Sequence, residues 1–328
     1  MRNILVTGGA GMIGSNLVKR LVQMGDNVIV VDNLWRGSLN NLNDENGFPV
    51  IDIDTNFYNR DLSQVNVLDD LLEEVDYVVH LADIVAGIGY VFDNQGSIFR
   101  QNILINSNTI ASVRKSKVKG FLYIGTACSF PESLQDKLDY KLLVENDLYP
   151  AEPESAYGWS KLMGQYETEL LSLETNIKTC TLMLHNVYGS PCDYSVEKSQ
   201  VIPSLIRKVI DKNEKDLLVW GSGKQGRAFI HVDDVVDGIF LALDKGWGNG
   251  HIQLGPDICT SIKEIAETLV DISNSGKKIK YDITKPEGDV ARAADYSKAN
   301  KVLDWTPKVQ LKDGLKDLYF WIKNEMNA

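Results

Sequence analysis

Residues 3–14 read NILVTGGAGMIG, a β-branched run followed at once by Gly8, Gly9, Gly11 and Gly14. Asn3–Thr7 has the composition of a strand, and Gly14–Met24 carries apolar residues at helical spacing. Glycine between a strand and a helix permits the tight turn, lets backbone approach a pyrophosphate and lets helix and strand pack closely. The helix start then presents unpaired N–H groups and a partial positive charge to the phosphates. Gly8, Gly11, Met12 and Ile13 are therefore the candidate cradle of a dinucleotide. A second strand, Asn27–Asp32 (NVIVVD), ends on Asp32, an acid that suits a ribose 2′-hydroxyl and repels a 2′-phosphate, so the pattern predicts NAD over NADP. Asn33 and Arg36 follow in the same loop, and Arg36 is the residue there able to accommodate a phosphate. Asp61 and Leu62, with Leu81 and Ala82 after the strand Asp76–His80, extend this candidate cofactor edge. Asp61 is placed to meet the adenine, and a plain loop acid fits its pattern equally well.

Outward from that turn, short apolar strands alternate with amphipathic stretches. Gly120–Gly125 is a further strand, and Ile98–Lys115 and Ala156–Leu173 have the pattern of long helices. Strands apolar throughout and separated by helices predict a parallel sheet covered on both faces, a Rossmann-type doubly wound α/β fold. After about residue 175 the pattern becomes mixed, with strands at Thr179–Leu184 and Asp216–Val219 and helices near 200–213 and 262–272. The expected organisation is a cofactor domain over residues 1–175 and a smaller mixed α/β substrate domain over 176–328, with some strands returning to the first sheet. The chain has 328 residues, 44% apolar and 24% charged, which excludes wholesale disorder and is ample for a core without disulfides. Its 34 basic and 45 acidic residues give a net charge of −11, the wrong sign for a nucleic-acid binder. Cys128, Cys180, Cys192 and Cys259 form no CxxC pair, and His80, His185, His231 and His251 have no metal spacing, so no metal is expected. No stretch reaches the ~18 apolar residues of a membrane span. The N-terminal apolar run is too short for a secretion signal, and the protein reads as cytoplasmic.

Tyr157 and Lys161, in YGWSK, stand at i and i+4 and project from one face of a helix. A nearby ammonium stabilises a phenolate, so the pair predicts a tyrosine poised as a general base. The strand GFLYIG runs into Thr126-Ala127-Cys128, at the carboxyl end where parallel sheets bind ligands, and Thr126 is placed to donate to a substrate hydroxyl.

TGGAGMIG, Asp32, TACSFP, YGWSK, HNVYG and GRAFIHVDD follow one another in the order found in the extended short-chain dehydrogenases. Along nearly its whole length the chain resembles their NAD-dependent nucleotide-sugar epimerases and dehydratases. ACSFPES, YPAEPESAYGWSK and KPEGDVARAADYSKANKVLDWTPKVQLKDGL are most similar to the GDP-mannose 3,5-epimerase branch, with GDP-fucose synthase more distant. The resemblance implies that Tyr157 takes the proton of a sugar C4 hydroxyl, that Lys161 holds the nicotinamide ribose, and that Thr126 steadies the hydroxyl. It implies that Cys128 is an acid/base toward C3 or C5, that Arg227 and Arg292 bind the diphosphate of a nucleotide sugar, and that Asn186 touches the substrate. Gly87, in the segment Gly87-Ile88-Gly89, is expected in a flexible loop over the ligands. Gln200 stands where that branch carries a titratable Lys or His; Lys198, two residues earlier, is the candidate replacement. Asp233 and Asp234 are expected to cap a helix, and the other three cysteines to be structural. The two long helices would pair across a two-fold axis as the four-helix bundle of a homodimer. These readings converge on an NAD-dependent nucleotide-sugar epimerase with a transient 4-keto intermediate, a GDP-sugar being favoured. A C4 oxidoreductase, a 4,6-dehydratase and a non-catalytic NAD-binding regulator are the alternatives.

Overall fold

A computed structural model describes residues 1–327. Seven parallel strands form the main sheet: β1 (Asn3–Thr7), β2 (Asn27–Val31), β3 (Phe57–Tyr58), β4 (Tyr77–His80), β5 (Gly120–Thr126), β6 (Lys178–Leu184) and β7 (His251–Leu254). Their spatial order is β7-β6-β5-β4-β1-β2-β3, which is the doubly wound arrangement. Strands β6 and β7 lie beyond residue 175 in sequence and complete this sheet.

Alternation along β1 shows why both faces are covered. Ile4 and Val6 enter one apolar cluster with Leu17, Val18 and Leu21 of α1 (Met12–Gln23), while Leu5 enters another with Val78, Ile105 and Phe121. The helices on the second face include α2 (Ile88–Asp93), α3 (Gln95–Lys115) and α4 (Ala156–Glu174). Register aligns Thr7 with both Val31 and His80, and Thr126 with Leu184, so the carboxyl ends of the central strands open onto one edge.

Helix α1 begins two residues earlier than its apolar periodicity predicts, because the glycine turn is shorter than the last cradle glycine suggests. A third cluster joins α5 (Val201–Ile210), Ile262–Ser273 and Leu311–Asn327. A four-stranded sheet of Thr260–Ser261, Gly226–Arg227, Ala291–Ala294 and Leu142–Leu143 closes the cleft's far side. Its parallel register sets Arg227 directly beside Arg292.

Two local expectations are corrected. The Gly87–Gly89 segment is not a free loop: Gly87 starts α2, and its missing Cβ makes room for the Ser199 carbonyl. Asp233 does not cap the helix Val232–Lys245; the His231 imidazole does, by accepting from the Asp233 N–H at 3.3 Å. Asp234 instead accepts from the Lys308 and Val309 amides at 3.0 Å each, tying down the loop before the last helix. Among the described residues no helix is long and apolar enough to cross a membrane.

Candidate active site

Apart from Lys198, every candidate catalytic, cofactor-binding or substrate-binding residue named from the sequence lines one cleft of about 1620 Å³ at the carboxyl edge of the sheet. Ligand pockets typically measure about 300–1,000 Å³, so there is space for a dinucleotide and a second ligand together.

The cradle fits a dinucleotide on its own geometry. Gly8 has φ +67°, and a methyl there would lie 2.9 Å from the Ala82 amide nitrogen. A methyl on Gly14 would lie 2.6 Å from the Gly9 Cα, so strand and helix approach as only glycine allows. Gly11 caps α1 without any side-chain hydrogen bond, and the first turn holds no acid, leaving the amides free for an anion. Met12 and Ile13 supply that turn. Asp32 accepts from the Ala10 and Leu34 amides at 3.0 and 2.7 Å, which orients its carboxylate; burial pushes its pKa up. Each of its oxygens keeps a lone pair for a ribose hydroxyl. Asn33 is occupied by the Trp35 amide, and Asp61 by the Ser63 amide. Arg36 donates to the Val85 carbonyl at 2.8 Å and faces Asp193 at 3.6 Å, so its guanidinium points toward the substrate loops. Leu62 is buried in the cluster that Ala82 packs against, and Leu81 and Ala82, which follow β4, abut Gly8 of the cradle.

Thr126 ends β5, and its hydroxyl accepts from the Cys128 amide at 3.2 Å and favours ionisation of the neighbouring Tyr157 phenol. Ser155 caps α4 through the Gly158 amide, which sets the turn carrying Tyr157. Gly158 lets that turn close on the Cys128 carbonyl, so the thiol and the phenol share one wall.

The electrostatics include a partner that the sequence does not show. Lys161 Nζ lies 2.5 Å from Asp83 Oδ2, with side chains 4% and 1% exposed. Burial, then Asp83 and Cys128, hold the Tyr157 phenol well above its ordinary pKa, opposed by Thr126 and Arg292. His80, fully buried between Thr7 at 2.7 Å and Asn106 at 2.9 Å, is driven down to about 3 by burial and by Lys161, and stays neutral.

On the substrate side, Arg292 Nη1 donates to Asp289 and Gln135 at 3.0 Å each, and Nη2 reaches Asn186 at 3.3 Å and Cys128 Sγ at 3.5 Å. Arg227 donates to the backbone carbonyls of Gly226 and Asp289. Burial, together with the neighbouring charge of Asp289, lifts the Glu154 carboxyl to about 7, against the pull of both arginines. Gln200 stands at the start of α5 in the cleft wall. Lys198 is turned away, 4.4 Å above the Trp35 ring with its Nζ on the Trp35 carbonyl. Cys180 is buried in the core, whereas Cys192 lines the cleft; burial pushes both thiols up to about 12. Among the described residues no three His, Cys, Asp or Glu groups gather to hold a metal.

Asp83, Glu154 and Asp289 were not singled out from the sequence. Asp83 carried one usable signal, its place just beyond β4 at the ligand-binding edge.

A family model described as the NAD dependent epimerase/dehydratase family matches residues 4–255. The chain is 30% identical to GDP-mannose 3,5-epimerase 1 of Oryza sativa subsp. indica, over 98% of this chain and 82% of that one. It is 28% identical to GDP-L-fucose synthase 1 of Arabidopsis thaliana, over 99% and 94%. The solved UDP-glucose 4-epimerase of Thermotoga maritima, crystallised with UDP-glucose, superposes with a TM-score of 0.86 at 29% identity, covering 99% of both chains.

Proposed function

The chain belongs to the NAD-dependent epimerase/dehydratase family, and we propose that it is a nucleotide-sugar epimerase working through a transient 4-keto sugar. The observation that carries this reading is the convergence of Thr126, Tyr157 and Lys161 beside a glycine cradle, with Arg227 and Arg292 across the same cleft. The cradle from Gly8 to Ile13, Asp32, Leu81, Ala82 and Lys161 would hold NAD, which when bound supplies a reversible two-electron acceptor and, oxidised, a positive charge. Tyr157 takes the proton of the sugar 4-hydroxyl and later returns it to the ketone oxygen. Thr126 holds that oxygen against the phenol, as general acid–base transfer requires. Arg227 and Arg292 face the diphosphate, where a planar guanidinium gives bidentate contact.

Inversion at C4 asks for no further titratable group: the ketone has only to present its other face before reduction. That agrees with Gln200, which cannot titrate, and with Lys198, which is held on Trp35. A second reading, proton exchange at C3 or C5 by Cys128, has one observation behind it: the thiol lies in the cleft wall against Arg292. Loss of water in the manner of a 4,6-dehydratase would need an acid where Ala127 and Cys128 stand. The proposal extends to assembly. Helices α3 and α4 leave Phe99, Trp159 and Tyr166 substantially exposed, a face that a four-helix homodimer would cover.

The test is incubation with a panel of GDP- and UDP-hexoses followed by NMR. A new 4-epimer with the natural chain, and none with Tyr157→Phe, is expected; a stoichiometric ketone or reduced cofactor would overturn the epimerase reading.

A further inference from the structure

The loop after β2 is fastened across the glycine cradle from two sides. Strand β1, which leads into the cradle, lies between β2 and β4 in the sheet, and Thr7 at its end is in register with Val31 and His80. Arg36 stands five residues beyond Val31, and Val85 five beyond His80. Two strand spacings, roughly 10 Å, separate the ends of β2 and β4. The Arg36 side chain closes that gap: its Nη1 donates to the Val85 carbonyl at 2.8 Å, so it passes over the carboxyl end of β1. The loop also rests on the cradle itself, since the Ser38 amide and the Asn41 side chain donate to the Ala10 carbonyl at 3.2 and 2.8 Å. A methyl on Gly37 would lie 2.7 Å from the same oxygen. Leu34 enters this turn at φ +58° with its amide on Asp32, a conformation that a bulky side chain adopts only when its surroundings impose it.

The second fastening comes from the substrate side. The segment 190–200 follows Asn186 and ends at Gln200 in the cleft wall. Its Ser190 carbonyl accepts from Asn16 of α1 at 2.9 Å, and Lys198 sets its Nζ on the Trp35 carbonyl at 3.3 Å and 4.4 Å over the Trp35 ring. The Lys198 carbonyl accepts in turn from the Gly87 amide at 3.2 Å, two residues beyond Val85. Asp193 faces Arg36 Nε at 3.6 Å. The Nε and Nη2 of Arg36 make no hydrogen bond among the described residues, so both stay free for an anion lying on the cradle amides.

We propose that Trp35 and Arg36 form a clasp over the pyrophosphate of a bound NAD: Arg36 closes it onto Val85, and Lys198 holds it from the substrate segment. Either bond presents the loop to the other, and the cofactor leaves when the clasp opens. Lys198 is thereby a positioning residue of the cofactor site rather than an acid or base. A transient ketone has to recover its hydride from the cofactor molecule that took it, whereas net oxidation needs that cofactor to leave at every turnover; slow release serves the first. The clasp rests on the reading that the cradle holds NAD, and it assigns retention of that cofactor to residues outside the glycine turn.

The test loads the protein with NADH and chases it with excess NAD, following the loss of energy transfer from tryptophan to the bound dihydronicotinamide by stopped-flow fluorescence. Arg36→Met removes a charged donor, and NADH should leave roughly 10- to 100-fold faster. Arg36→Lys keeps the charge on a stem one atom too short for Val85, so it should release NADH nearly as fast as Arg36→Met. Lys198→Met should speed release roughly two- to fivefold, and the double variant Arg36→Met, Lys198→Met should fall short of the product of the two single effects. Without cofactor, each variant should melt within about 4 °C of the natural chain. Release from Arg36→Met within about twofold of the natural rate, or natural retention in Arg36→Lys, overturns the proposal. A double variant that reaches the full product would make these two separate contacts instead of one clasp, and a larger loss of melting temperature in every variant would make them merely structural. No sugar is present, so the result does not depend on whether a nucleotide sugar is turned over. A natural chain that takes up no NADH overturns the NAD reading and the clasp with it, whereas uptake with unchanged release overturns the clasp alone.

Discussion

Replacing Arg292 by methionine keeps the volume of the side chain and removes its charge. The loss is legible contact by contact: hydrogen bonds at 3.0 Å to Asp289 and Gln135, one at 3.3 Å to Asn186 and a contact at 3.5 Å to the Cys128 sulfur. The Asp289 side chain is 4% exposed and its Oδ1 already lacks a donor, so it cannot turn to water. Breaking a buried pair in this way costs about 3–5 kcal/mol, because the surviving charge is left uncompensated. Against a typical total of about 5–15 kcal/mol, that is a large fraction of the stability. The sign of its pH dependence follows. The folded Glu154 carboxyl, already at about 7 against an ordinary 4.5, loses one of the two arginines that hold it down and binds its proton more tightly still. Its penalty is therefore complete above the raised pKa and disappears as pH falls below the unfolded one. Urea denaturation at pH 8 should show the full loss and at pH 5 a much smaller one, with Arg292→Met, Asp289→Asn recovering most of it at both. A single-variant loss below about 1 kcal/mol at pH 8, or a double variant no better than the single, would refute the idea that this buried pair organises the substrate side.

Gly14→Ala overfills the turn against Gly9, and an overpacking cost of about 1–3 kcal/mol should weaken NAD binding roughly 10- to 100-fold by calorimetry. Glu154→Gln should stabilise the protein at pH 8 by about 1–3 kcal/mol. The folded carboxyl titrates near 7 against an ordinary 4.5, so its penalty is full above 7 and the gain should fade below pH 5 in denaturant melts. Cys128→Ser should leave turnover within about threefold if chemistry is confined to C4. A loss of 10²-fold or more, the usual scale of a lost acid–base group, would move the chemistry to C3 or C5.

What could be read from the sequence was what local geometry dictates. The turn at Gly8–Gly14 is legible because strand, glycine spacing and helix start are contiguous, and Tyr157 and Lys161 because a helix converts four residues into one face. What escaped is set by partners distant in the chain. Lys161 meets Asp83 only after β4 and α4 have packed, and Glu154 meets Asp289 only when the loop before Ala291–Ala294 folds back over the cleft. The sequence shows Lys161 beside Tyr157 alone, because Asp83, its partner at 2.5 Å, is 78 positions away in the chain. Gly87 misled differently. A missing side chain leaves room for a ligand or for another part of the chain, and here the Ser199 carbonyl takes it. His231 rather than Asp233 caps its helix because the first helical residue is Val232, two positions earlier than a cap at Asp233 would place it.

The central claim is that a sugar is oxidised and reduced at C4 within one binding event. Its most direct test uses a nucleotide sugar deuterated at C4, incubated with the protein in ordinary water and followed by NMR. The account predicts that the inverted product keeps its deuterium at C4, with no ketone building up. Loss of that label to solvent, or inversion found only at C3 or C5, would contradict it.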